Sequence, residues 1–127
     1  MPKEQVRTNR APAAKGPYSQ GIRTGDFIYV SGQGPLDPGT GQVVGTTIQE
    51  QTAQVLENIR AILDAAGASM ADVVKATCHL ADLSYFDGFN EVYERHFPEP
   101  RPARTTVGSQ LQGILVEMDV IAHLSGR

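Results

Sequence analysis

Residues 47–67 read TIQEQTAQVLENIRAILDAAG, and this stretch sets the architecture. Thr47 and Glu50 have the spacing of a capping box, in which a hydroxyl and a carboxylate answer each other's backbone N–H groups. Behind them Ile48, Thr52, Val55, Ile59, Ile62 and Ala66 recur at intervals of 4-3-4-3-4. That period puts them on one stripe of an α-helix and turns the charged positions the other way. Gly67 stands where a helix-ending glycine belongs. A stripe of this kind has to be covered, and the flanking sequence offers strands to cover it.

Upstream, Phe27, Ile28, Tyr29 and Val30 are strand formers, and Ser31-Gly32-Gln33-Gly34 ends the run. A turn at Thr24-Gly25-Asp26 joins it to a strand starting at Ile22. Asp37-Pro38-Gly39-Thr40-Gly41 is a strong turn signal, after which Gln42, Val43 and Val44 return as a short strand. The first third therefore reads as a β-meander. Residues 1–15 are small, polar and basic, and are expected to be extended or partly mobile. Between them and the first strand lies GPYSQG at 16–21, where glycine and proline constrain the chain around Tyr18. That ring is either half-buried structure or the lining of a pocket.

Downstream, Ser69 and Asp72 suggest a short capped turn before a strand over 73–80. Cys78 reads as core, with His79 on the opposite face. Ser84 and Asp87 are expected to begin a second helix with an apolar face of Phe86, Phe89, Tyr93 and Phe97, stopped by Pro98 and Pro100. Residues 101–107 lead into a strand. In the run 114–124, Val116, Met118, Val120 and Ala122 face one way. Leu115, Glu117, Asp119, Ile121 and His123 face the other. The expected order is β-β-(β)-α-β-α-β-β, an α+β domain over residues 1–127 with two helices on one face of a mixed sheet. The other sheet face keeps apolar positions that no third helix covers, which favours oligomerisation.

Length and composition narrow the function. The chain has 127 residues, enough for one core. Its 11 Lys and Arg against 14 Asp and Glu give a net charge of -3, which disfavours nonspecific nucleic-acid binding. Lys3, Arg7, Arg10 and Lys15 are spread out and read as solvated charge that would locally favour an anionic substrate. A lone cysteine suits a reducing compartment, and no signal peptide or membrane span is visible, so the cytoplasm is expected. His79, His96 and His123 are scattered, without metal-ligand spacing. No phosphate-binding or dinucleotide fingerprint appears. Neither a metal nor a cofactor is expected.

Two residues then stand out. Arg104 follows Pro100, Pro102 and Ala103 at a strand entrance. It is either a surface ion-pair partner or a bidentate clamp for a substrate carboxylate. Glu117 lies inside an apolar strand, where a carboxylate must be solvated, paired or chemically used.

Five stretches together, GPYSQG at 16–21, FIYVSGQ at 27–33, FNEVYERHF at 89–97, PARTTV at 102–107 and VEMDVIA at 116–122, resemble motifs of the Rid/YjgF family of reactive-intermediate deaminases. The resemblance runs from about residue 5 to residue 124. It implies a chorismate-mutase-like α+β fold assembled as a homotrimer with inward-facing sheets and clefts between subunits. It also implies hydrolysis of 2-imino acids such as 2-iminobutanoate and 2-iminopropanoate, or their enamine tautomers, to 2-oxo acids and ammonia without a cofactor. The implied partners are further copies of the chain and small 2-imino or 2-oxo acids, with no nucleic acid and no membrane. Carried onto this sequence, Arg104 would bind the substrate carboxylate and Glu117 would orient or activate water. Tyr18 and Asn90 would border the pocket, with Ser31, Gly32 and Thr106 beside the substrate and Phe89 as an apolar wall. Thr106 stands where the archetypal deaminases carry a cysteine, and the 108–116 loop is shorter than theirs; both bear on substrate preference. Other readings are a deaminase of an aminomuconate- or aminoacrylate-like catabolic intermediate, and a non-enzymatic metabolite-binding or chaperone-like protein. A ribonuclease fits poorly with the net negative charge and the lack of an aromatic-basic stripe.

Overall fold

A computed structural model describes residues 2–124; Met1 and residues 125–127 of the expected span lie outside the described residues. The helix that opens the sequence argument, α1, runs Ile48–Ala65. Thr47 Oγ1 accepts from the Glu50 N–H at 3.1 Å, and Glu50 Oε1 accepts from the N–H groups of Thr47 and Thr46 at 3.1 and 3.0 Å. These bonds hold the Glu50 carboxyl below its ordinary pKa. At the other end Gly67, at φ 81°, donates to the Asp64 carbonyl, and Ala68 donates to the Leu63 carbonyl. The left-handed glycine lets the chain fold back over the last turn.

Strands β1 (Glu4–Val6), β2 (Gly21–Thr24) and β3 (Phe27–Gln33) precede the helix. Strand β4 (Val73–Leu80) follows it, helix α2 spans Phe86–His96, and β5 (Ala103–Gly108) and β6 (Val116–His123) complete the sheet. The six strands lie in the order β1-β2-β3-β6-β4-β5. All pairings are antiparallel except β4 with β5, the pair that α2 connects. Both helices cover one face. Ile28, Val30, Ala76, Cys78, Leu80, Val116, Met118, Val120 and Ala122 project toward them and are buried with Val55, Leu56, Ile59, Ile62 and Leu63 of α1. The opposite face carries Phe27, Tyr29 and Val107, which remain 41%, 44% and 38% exposed. No helix among the described residues is long and apolar enough to cross a membrane.

The N-terminal segment, expected as extended or partly mobile, is extended: it forms β1 against β2 and is then clamped by Gln20. That buried amide accepts from the Thr8 N–H and donates to the carbonyls of Thr8, Ala11 and Pro12. Residues 42–44 form no strand; one bridge, Leu36 to Val43, marks the return, because Val43 is exposed and has no neighbouring ladder to join. Strand β3 spans the whole FIYVSGQ stretch and pairs with β6 through to Gln33, across an irregularity between Val30 and Gln33. Asp82, rather than Ser84, supplies the capping oxygen ahead of α2, and Phe86 is 40% exposed instead of joining Phe89, Tyr93 and Phe97 in the core.

Candidate active site

The eight residues singled out from the sequence fall into two groups. The first is built on β5 and α2. Arg104 pairs in register with Ala76 and Thr106 with Cys78, so both side chains lie on the helix face of the sheet. On α2, Phe86, Phe89, Asn90 and Tyr93 stand at positions i, i+3, i+4 and i+7 and share the helix side that meets Arg104. Arg104 Nη1 donates to Asn90 Oδ1 at 2.7 Å. Its Cζ lies 4.7, 5.4 and 5.5 Å from the ring centroids of Tyr93, Phe89 and Phe86. Among the described residues no carboxylate comes within 4.0 Å of the guanidinium. A half-buried cation walled by aromatic rings, with one neutral acceptor and no counter-charge, has donors left for an anion. Asn90, Tyr93, Glu94, Arg101, Pro102 and Arg104 line the cleft that leads to it.

Cys78 sits under this group. Burial pushes its thiol up to about 12, against the pull of the Arg104 charge. It is therefore a neutral core side chain rather than a nucleophile. The cysteine that the archetypal deaminases carry after the arginine is Thr106 here, and a thiol instead occupies the register position next to it on β4.

The second group surrounds the β3–β6 pair. Glu117 lies between Val116 and Met118, both buried toward the helices, so its side chain rises from the opposite face. Its carboxylate folds over Gly32: a Cβ added there would lie 2.7 Å from Glu117 Oε2. A methyl group at Gly32 would therefore have to displace the Glu117 carboxylate. The Ser31 hydroxyl donates to the Ser19 carbonyl and its N–H donates to the Gln20 carbonyl, which ties the 16–21 loop to β3. Tyr18, on that loop, is 52% exposed and its hydroxyl accepts from the Lys15 N–H at 3.3 Å. Tyr18 and Gly32 line one small cavity together with Lys15 and residues 33–34.

Arg104 and Glu117 are therefore not brought together within one chain. Strand β4 lies between β6, which carries Glu117, and β5, which carries Arg104, so the two residues stand about 10 Å apart across the sheet and on opposite faces. The sequence reading missed Tyr93 and Phe86 as neighbours of Arg104. Their i, i+7 spacing with Phe89 and Asn90 was visible, but what that helix side meets depends on the β4–β5 register.

The fold and the site together define a class: small α+β chains with two helices on one face of a mixed sheet and an aromatic-walled arginine on the parallel edge strand. Residues 8–124 match the family model described as Endoribonuclease L-PSP. A RutC family protein of Pyrococcus abyssi is 52% identical over 125 residues, covering 97% of this chain and 98% of the relative. The 2-iminobutanoate/2-iminopropanoate deaminase of Mus musculus is 43% identical over 119 residues, covering 92% and 88%. The crystal structure of E. coli TdcF with bound serine superposes with a TM-score of 0.89 at 36% identity, covering 96% of this chain and 99% of the other. The chain belongs to this family, which is the Rid/YjgF family.

Proposed function

We propose that the protein hydrolyses 2-imino acids, 2-iminobutanoate and 2-iminopropanoate among them, to 2-oxo acids and ammonia. The observation that carries the reading is Arg104, a caged guanidinium without a carboxylate of its own. A mouse relative named for this activity supports the substrate class, and a relative holding serine supports a ligand of amino-acid size. In this reading Arg104 binds the substrate carboxylate in bidentate fashion, and Asn90 and Phe89 fix the arginine from behind. Glu117 takes a proton from water as its oxygen attacks the imine carbon. With the imine attacked in its protonated form, the resulting carbinolamine receives that proton on nitrogen; the C–N bond then breaks and ammonia leaves, while the hydroxyl proton passes to the Glu117 carboxylate as the C=O bond forms. Tyr18, Ser31, Gly32 and Thr106 border the substrate.

Since Arg104 and Glu117 diverge within a chain, the working site joins the Arg104 group of one copy to the Glu117 group of the next. A heterologous contact of this kind closes into a ring, and a homotrimer is the proposed assembly. The exposed Phe27, Tyr29 and Val107 supply an apolar face for it. Light scattering is expected to give a mass three times that of the chain; a monomer that nevertheless turns over substrate would sink the shared site.

The activity is tested by generating each imine in situ with an amino-acid oxidase and following its loss as the semicarbazone and as ammonia. The wild type is expected to accelerate the loss, and Glu117→Gln to lower kcat by roughly 100-fold or more, the range of lost general acid–base catalysis. Unchanged imine decay in the presence of the wild type would leave only ligand binding or a different enamine substrate. Gly32→Ala is expected to lower kcat/KM roughly 10- to 100-fold, because the methyl group displaces the Glu117 carboxylate. The melting temperature should change little, because Gly32 is exposed and its backbone needs no positive φ. Activity equal to the wild type would place the working carboxylate elsewhere.

A further inference from the structure

We propose that Tyr93 is a positioning residue for Arg104, its ring fixing the plane of a guanidinium that Asn90 pins at one corner; the functional consequence rests on the reading of Arg104 as carboxylate anchor. Among the described residues the Arg104 side chain makes a single hydrogen bond, from Nη1 to Asn90. One bond fixes a point on a planar ion but leaves rotation about that point free. A flat partner removes this freedom, since guanidinium groups stack on aromatic faces.

Of the three rings near Arg104, that of Tyr93 is nearest, at 4.7 Å. It is also well braced. Tyr93 is 4% exposed and is held between Phe89 and Phe97, with centroids 5.5 and 4.6 Å away. Phe86, by contrast, is 40% exposed and faces solvent. The bracing passes through α2, which carries Asn90 and Tyr93 together, so one rigid element sets both constraints. The hydroxyl takes no part. Tyr93 Oη is buried without a hydrogen-bond partner among the described residues, and burial raises its pKa to about 12, so it stays neutral beside the arginine. The ring is the working part.

The wild type provides the first arm of the test. Arg101 also makes one side-chain hydrogen bond, to the Glu94 carbonyl at 3.2 Å, but has no ring against it. In protein carrying 15N-arginine, NMR is expected to show slower guanidinium rotation for Arg104 than for Arg101; equal rates would overturn the proposal. The second arm compares Tyr93→Phe with the ring-free Tyr93→Leu, and with Tyr93→Met should leucine unfold the chain. Phenylalanine is expected to keep KM for 2-iminobutanoate within about twofold and to keep Arg104 rotation slow. It should not lower the melting temperature, since it removes an unpartnered buried hydroxyl. A ring-free variant is expected to raise KM about 10-fold while kcat changes less than about threefold, and to free the rotation. A folded ring-free variant with wild-type KM and slow rotation would overturn the proposal. If the wild type hydrolyses no imine, the deaminase reading falls while the rotation rates still decide what Tyr93 does.

Discussion

Arg104→Ala is expected to lower kcat/KM for 2-iminobutanoate by about 100- to 1,000-fold, the cost of leaving a desolvated carboxylate without its charged partner. Several features make the loss large. Three aromatic rings stand within 5.5 Å of the guanidinium and exclude water from that side, so its charge is screened less than at an open surface. No carboxylate within 4.0 Å competes for it among the described residues. Asn90 Oδ1 holds Nη1 and leaves the other donors for the ligand. Arg104→Lys is expected to recover little of the loss, because an ammonium ion can neither stack on Tyr93 nor present two parallel N–H groups. Stability should change little, since among the described residues the Arg104 side chain makes one hydrogen bond and no ion pair. The same coupled oxidase assay checks the outcome. Acceleration that survives Arg104→Ala would keep the activity and remove the carboxylate anchor from this residue.

What the sequence revealed and what it hid follow from how local each cause is. Helix α1 was legible because its cap, its apolar stripe and its terminal glycine all act within a few residues of one another. The face of Glu117 was legible too: alternation from Val116 to Ala122 places it away from the helices without knowledge of any partner strand. The face of Arg104 was not. The prolines before it break any alternation, and its direction is set by parallel pairing with β4, nearly 30 residues earlier in the chain. Strand β1 escaped for a similar reason. Its segment carries little apolar pattern and is held by the Gln20 amide, a contact made across up to 12 residues. The family resemblance named the candidate site residues, but only the sheet register divides them into two groups.

That division makes a sharp prediction. Arg104→Ala and Glu117→Gln are each expected to keep about one hundredth of the activity or less alone, yet a refolded equal mixture should recover about one quarter of wild-type activity. The figure follows from random mixing around a ring in which each site takes one group from each of two neighbours. A site then has both groups intact when the Arg104 side comes from the Glu117 variant and the Glu117 side from the Arg104 variant. Each condition holds half the time. The premise is geometric: the two side chains leave opposite faces of one sheet, from strands β5 and β6 that stand about 10 Å apart with β4 between them. With the sheet between them they cannot both reach one imine of a few heavy atoms. Recovery should need subunit exchange, so mixing the folded variants without denaturation should restore activity slowly or not at all. A double variant carrying both substitutions, refolded with an equal amount of wild type, separates this scheme from simple dilution. Its mixed rings should also show about one quarter of the sites intact, because a site then needs wild-type chains on both sides. If each site were instead built within one chain, the two single variants would recover nothing on mixing and the double-variant mixture would keep about half.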